Sequence, residues 1–484
     1  MLSSDRIASG ALALLIGLQL LFWIPAYLQW PLFADHDVFF TTAQAWSEGM
    51  LPYREMRMNN FPGALYLAWG IGKAGGWGNP PFARAAEAAL VLAYGAMVVA
   101  WSRRRLGALW PGLYGVLTLL GFYLFLDYKL TGQRDTFAPM LALTSLMLLD
   151  GWRQRWALVA SGVAMSAALC FRPHCIVFLP GVAALLLWKG EGRVRALALW
   201  SCACAAATAA WLYPLWQAGV LGDFVRSVRS VAYGGEYSAR SGESTLAHAL
   251  DPLKSVRVLV CLAGFAAALR DRSWWPWAVV LGGAMAYIPI SPALKPYLTQ
   301  PVGIVAALLA VPGAWALSRW RRIGPAVAAL LLVIAMRGWP TFARPARRDG
   351  VPTGYVSNVG GLSSVVVQDG YRWQDLSDTL AYIRVDQPAN RRIANLLSGA
   401  PAICASTGRL SAFPFESVAW VKVVRPSDTG LVRETLEKRG DWLVVLSSRE
   451  HELRWMRDSD EALRRNYRPE ARFGEIEVWK SVVK

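Results

Sequence analysis

Apolar runs recur along this chain from Ala8 to about Met336 and then stop. They fall near residues 8–29, 84–101, 107–126, 136–149, 156–171, 175–188, 196–217, 256–269, 274–290, 301–317 and 323–337. A free-standing membrane helix needs about 20 apolar residues. Several runs are shorter, so they are expected inside a helical bundle. The run from Ala8 to Trp30 is long for a secretory leader and more runs follow it, so it reads as a retained helix. Residues 61–72 are too few to span and predict an interfacial helix. The pattern predicts a polytopic α-helical membrane domain over 1–337, with about eleven transmembrane helices.

Beyond Arg337 the periodicity changes. A Gly- and Pro-rich linker, 338–361, opens a mixed, polar tail. Spacing predicts helices over 375–384, 389–397, 430–439 and 449–465, and strands over 402–406, 418–424, 442–446 and 475–482. Alternating strands and helices predict a small C-terminal α/β domain over 338–484.

Composition sharpens this picture. Only 17% of the 484 residues are charged and 55% are hydrophobic, whereas soluble chains carry about 25% charged residues. The net charge is +13 up to Arg337 and only +4 beyond it, which argues against a nucleic-acid-binding tail. Short loops dense in basic residues, such as Arg103–Arg105, Arg153 and Arg155, and Arg319–Arg322, alternate with longer, more dilute ones. That asymmetry places the short loops and the N-terminus in the cytoplasm, and the long loops and the tail outside. The expectation is a multi-pass cell-membrane protein with an extracytoplasmic C-terminal domain. The six cysteines form no disulfide framework and no zinc spacing.

The candidate chemistry lies in the outer loops. Asp35, His36 and Asp37 crowd together just past the first apolar run, followed by Gly49, Pro52-Tyr53-Arg54 and Asn59-Asn60-Phe61-Pro62-Gly63. Ionisable groups at a membrane edge are expensive and usually functional. Lys129, Arg134 and Asp135 lie in a second loop, Arg172 and His174 in a third, and Lys295, Tyr297 and Gln300 in a later one. Arg54, Lys129, Arg134, Arg172, Lys295 and Tyr297 suit a lipid-linked phosphate, because fixed cations make charge-assisted bonds to phosphoryl oxygens. Asp35, Asp37 and Asp135 are the candidate catalytic carboxylates, any of which can act as general base on an acceptor hydroxyl.

Plainer readings stand beside these. Asp35 or, better placed, Asp37 serves as N-cap of a helix starting at Val38 or Phe39. Arg134 and Asp135 form a local ion pair at a helix start. Arg172 snorkels to the interface. Asp35, His36, Asp37 and Asp135 lack specific metal-ligand spacing, so no cofactor is expected and a divalent metal is not favoured.

Together these features resemble the GT-C superfamily of integral membrane glycosyltransferases. The likeness is nearest to the branch of protein O-mannosyltransferases and lipid A aminoarabinose transferases. It rests on Asp35, Phe39, Gly49, Pro52-Tyr53 and Pro62, on Arg134-Asp135 at a later helix start, and on Arg172 in Phe-Arg-Pro-His. The resemblance implies that Asp35 is the base, with Asp37 the alternative, and that Arg172 contacts the donor phosphate. Two departures bear on the acceptor: His36 follows Asp35 where the family often has Glu, and Phe61-Pro62-Gly63 replaces a common double Pro.

The implied activity is hexosyl or pentosyl transfer, with inversion, from a polyprenyl-phosphate sugar to a lipid, glycan or protein acceptor on the outer face. Membrane lipids are the surroundings and no nucleic acid is involved. The rival reading is a transporter or flippase of lipid-linked sugars. Transporters tend to show repeats and mid-membrane charges, and this chain shows neither.

Overall fold

The structure is a computed structural model. It describes residues 4–32, 34–123, 126, 130–188, 192–233, 253, 255–290, 296–319, 347–348, 351–352, 371–397, 401–417, 428–438, 440–448 and 457–482. The apolar run 323–337, the linker 338–361 apart from two short β segments, and the strand expected at 418–424 lie outside them.

The membrane part is a bundle of α1 (Ser4–Leu28), α2 (Ala34–Ser47), α3 (Gly63–Gly75), α4 (Pro80–Leu106), α5 (Trp110–Tyr123), α6 (Arg134–Gly151), α7 (Arg155–Phe171), α8 (Leu179–Trp188), α9 (Arg193–Gln217), α10 (Leu221–Tyr233), α11 (Val256–Ala268), α12 (Trp275–Ala286) and α13 (Gln300–Ser318). Four helices among the described residues are long and apolar enough to cross a membrane: Asp5–Pro25, α4, α9 and α13. Shorter apolar helices cover Arg155–Phe171, Pro173–Trp188 and Val258–Ala268. The eleven spans expected from the sequence are therefore matched only in part. Residues 61–72 contribute α3, which packs on α2, α4 and α7 and buries Ala64, Leu65, Ala68 and Ile71.

Local chemistry sets the helix ends. Asn79 caps α4, its side chain accepting the Phe82 N–H at 3.2 Å ahead of two prolines in the first turn, and Gly107 ends the helix in the left-handed region. α13 runs through the bundle core against α5, α11 and α12. It packs closely on α11, where a Cβ on Gly313 would meet the Gly264 carbonyl carbon at 2.7 Å. A glycine pair is what lets these backbones touch.

At the far end from α2, buried Asp150 ties three helices together. Trp101 and Trp277 donate to its Oδ2 at 3.0 and 3.4 Å, and the Arg105 Nε lies 3.3 Å away. Asp150→Ala is expected to lower stability by about 1.5 to 3 kcal/mol, since hydrogen bonds to a buried charge are worth that much. Thermal melts in detergent read this loss; an unchanged melting temperature rules out the tie.

The tail holds a four-stranded sheet of order β3-β4-β6-β5, formed by Ile393–Asn395, Leu443–Ser447, Ile476–Ser481 and Tyr467–Phe473 in that order. β3 pairs parallel with β4; the other pairings are antiparallel. A separate antiparallel pair, β1 with β2, joins Arg347–Arg348 to Val351–Pro352. Among the described residues the tail also holds helices α14 (Trp373–Val385), α15 (Ile403–Thr407), α16 (Thr429–Glu437) and α17 (Arg457–Asn466). Two expectations are corrected. Residues 402–406, read as a strand, form the one-turn helix α15. Residues 389–397, read as a helix, supply β3, because pairing with β4 outweighs local propensity.

Candidate active site

The site is built where α1 hands over to α2. Asp35 and Asp37 both lie in the first turn of α2, where carboxylates favour the helix dipole. The helix begins at Ala34, so neither residue is the N-cap of a helix starting at Val38. Asp35 lines a small cavity of about 30 Å³ together with His36, Phe39, Glu87, Arg134 and Phe137, room for about one water. Its Oδ2 is buried and meets no hydrogen-bond partner among the described residues. Of the three expected carboxylates, only Asp35 faces this cavity.

Arg134 reaches the cavity from the start of α6. It donates to the Asn60 Oδ1 and lies 5.3 Å from the Phe39 ring. The loop before α3 is shaped to present Asn60: Tyr53 takes a positive φ of 66° and its hydroxyl donates to the Asn60 carbonyl at 2.8 Å. A bulky residue held in that region marks a constrained segment.

Asp135 is fully buried and points elsewhere. Its Oδ1 lies 3.0 Å from the Arg172 Nε and accepts the Tyr287 hydroxyl at 2.8 Å. The ion pair expected between Arg134 and Asp135 is thus replaced by one across helices, and Arg172 is tied down rather than snorkelling. Arg54 does not approach the cavity; it pairs with Asp223 at 2.8 Å and the Gly219 carbonyl, half exposed. Lys129 and Lys295 lie outside the described residues, as does the side chain of Tyr297. No group of three or more His, Cys, Asp or Glu among the described residues is arranged to hold a metal.

Asp37 serves the tail. Its Oδ1 accepts the backbone N–H of Ala405 in α15 at 2.6 Å and the Thr41 hydroxyl at 3.3 Å. Nearby, Gln44 donates to the Gly408 carbonyl at 2.8 Å, and Arg57 grips both oxygens of Asp428 at 2.9 Å. The tail therefore sits directly on the helix that carries Asp35. Burial pushes the Asp37 carboxyl up to about 7, opposed by the Ala405 N–H and Thr41. Burial also pushes Glu416 of the tail up to about 8, helped by the negative charges of Asp37 and Asp35.

A larger apolar cavity of about 840 Å³ opens beside the small one, between α3, α4, α6, α7 and α9. Leu67, Phe137 and Phe171 line both, so the charged site and the apolar chamber share a wall.

No protein-family profile matches the chain, and no curated sequence matches it significantly. Among solved structures, it is similar to the crystal structure of ArnT from Cupriavidus metallidurans in the apo state. The TM-score is 0.62 over 98% of each chain, at 14% sequence identity. The chain has an ArnT-like fold. That supports the GT-C-like architecture expected from the sequence.

Within this ArnT-like fold, the sequence reading missed Glu87 and Arg84. Both are buried in the first turns of α4, Glu87 inside an apolar run. Glu87 accepts the Tyr27 hydroxyl and an Arg84 N–H at 2.8 Å each, and its other oxygen lies 2.6 Å from the His36 Nε2. The available signal was an acid in an apolar span, costly without a partner, with an arginine three residues before it.

Proposed function

We propose that this chain is a membrane glycosyltransferase of the GT-C type, moving a sugar from a polyprenyl-phosphate donor to an acceptor at the extracytoplasmic face. The observation that carries the reading is Asp35: a carboxylate oxygen without a hydrogen-bond partner faces a cavity shared with Arg134, against the wall of an apolar chamber. The ArnT-like fold supports it.

In this reading the isoprenoid tail takes the apolar chamber and the phosphate lies near Arg134. The acceptor hydroxyl oxygen attacks the anomeric carbon as its bond to the phosphate oxygen breaks, inverting that centre. Asp35 takes the hydroxyl proton, and the phosphate leaves with the bonding electrons, stabilised by Arg134. Arg-rich loops fall at the opposite end from the site, where Arg105 meets Asp150. The positive-inside rule then puts the site and tail outside.

Two experiments test the reading. In proteoliposomes, polyprenyl-phosphate-linked aminoarabinose, mannose and glucose are supplied in turn. Cleavage with the sugar appearing on an acceptor supports transfer; movement of the intact lipid across the bilayer overturns it. Arg134→Ala is expected to weaken undecaprenyl phosphate binding by about tenfold or more, the loss of one charge-assisted contact. Arg134 serves this purpose better than Arg172, whose removal strands the buried Asp135 charge. Binding unchanged in Arg134→Ala removes the phosphate role.

A further inference from the structure

The two groups assigned to the reaction, Asp35 and Arg134, come from chain segments about 100 residues apart. Neither α2 nor α6 alone sets their spacing. One buried pair touches the supports of both.

Arg84 is fully buried, and its guanidinium donates to the Trp30 carbonyl at 3.4 Å and to the Pro31 carbonyl. Those carbonyls lie four and three residues before the start of α2. Glu87, held by Arg84, meets His36 on the other side of Asp35. The first turn of α2 is therefore pinned both before and after the candidate base.

The same pair reaches the loop that leads into α6. Arg84 donates to the Thr131 hydroxyl at 3.2 Å. Gly132, at φ +68°, lies so close to Glu87 that a Cβ would meet its Oε1 at 2.3 Å, and its N–H donates to the Tyr123 hydroxyl at 3.0 Å. Arg134 follows two residues later. A carboxylate in the membrane part is retained at a desolvation cost unless it is well paired, and this one has four polar partners or close neighbours, of which His36 and Gly132 belong to the two arms of the site.

We infer that Glu87, fixed by Arg84, is the positioning residue of the site: through His36 and Gly132 it sets the Asp35 carboxylate and the Arg134 guanidinium in one fixed geometry. The inference rests on the proposed transfer reaction. Reacting groups misplaced by about 1 Å lose about 100-fold in rate, even when the substrate still binds. Such a residue acts on turnover more than on donor affinity.

Glu87→Gln leaves Arg84 as an uncompensated buried charge and threatens folding, so the test is made at His36. His36→Leu removes one arm while keeping the Arg84–Glu87 pair. His36→Gln restores an N–H near the Nε2 position and so a link to Glu87. The assay uses whichever of the three polyprenyl-phosphate sugars the wild type turns over best, with Asp35→Asn as control. His36→Leu should lose about 10- to 100-fold in kcat, with donor KM within about twofold and an intact melting transition. His36→Gln should recover most of that loss.

Wild-type kcat in His36→Leu, beside an inactive Asp35→Asn, overturns the inference and leaves the transfer reading standing. Equal loss in His36→Leu and His36→Gln also overturns it, because the imidazole itself is then required. An active Asp35→Asn defeats Asp35 as the base instead, whatever the His36 variants do, and a wild type that transfers none of the three sugars defeats the transfer reading.

Discussion

Asp35→Asn is expected to lower sugar transfer by about 100- to 10,000-fold, the usual contribution of a general base. Asparagine keeps the size and one acceptor oxygen but takes up no proton near neutral pH. Donor binding should survive, because Arg134 holds its place through Asn60 and Phe39 rather than through Asp35. Folding should survive too, since the Asp35 Oδ2 makes no hydrogen bond among the described residues. Asp37→Asn should be far milder in turnover, because its Oδ1 is spent on the tail. Turnover and binding of undecaprenyl phosphate, measured on the same preparations, separate the two effects. An active Asp35→Asn beside a dead Asp37→Asn transfers the base to Asp37. Full activity in both defeats base catalysis from this loop and moves the base elsewhere.

Much of this site was legible because ionisable residues stand out at a membrane edge. Asp35 and Arg134, which line one cavity, were both picked out that way, but the helix expected from Val38 or Phe39 begins at Ala34 and so contains Asp35 instead of being capped by it. What joins them was not legible. Glu87 sits inside an apolar run, and its partners Tyr27 and His36 and its close neighbour Gly132 come from three other segments. Local spacing carries no trace of such contacts. The same limit misplaced the partner of Asp135, which is Arg172 from the end of α7 rather than its neighbour Arg134.

In the tail, short apolar runs such as 402–406 do not distinguish one helical turn from a strand. β5 was unread because Pro469 demotes the segment. The structure places it at the sheet edge, where proline is tolerated. The helices of the tail were easier, because α14 and α16 carry amphipathic spacing over three turns or so.

Docking of the tail on α2 is expected to weaken as pH rises from about 4 to about 8, the span between ordinary carboxyl values and the raised ones. Asp37 is raised to about 7 and Glu416 to about 8, chiefly by burial. With both values raised, the docked state holds more protons than the undocked state throughout that window. Its stability is therefore fullest below the ordinary carboxyl range and falls until both groups have ionised.

Each unit of separation is worth about 1.4 kcal/mol per group, so roughly three units at each of the two groups set an upper bound of about 9 kcal/mol. Asp223 and Glu470 shift the other way; their contribution is lost only as pH falls below the ordinary carboxyl range, outside this window. Asp37→Asn keeps an acceptor for the Ala405 N–H but cannot ionise, so it should flatten the slope and raise stability at pH 8. Hydrogen exchange over residues 403–407, followed from pH 5 to 9, reads the docking directly. Protection that holds constant or grows with pH in the wild type contradicts this assignment. So does an Asp37→Asn slope as steep as the wild type's, because the charge that opposes docking would then lie elsewhere.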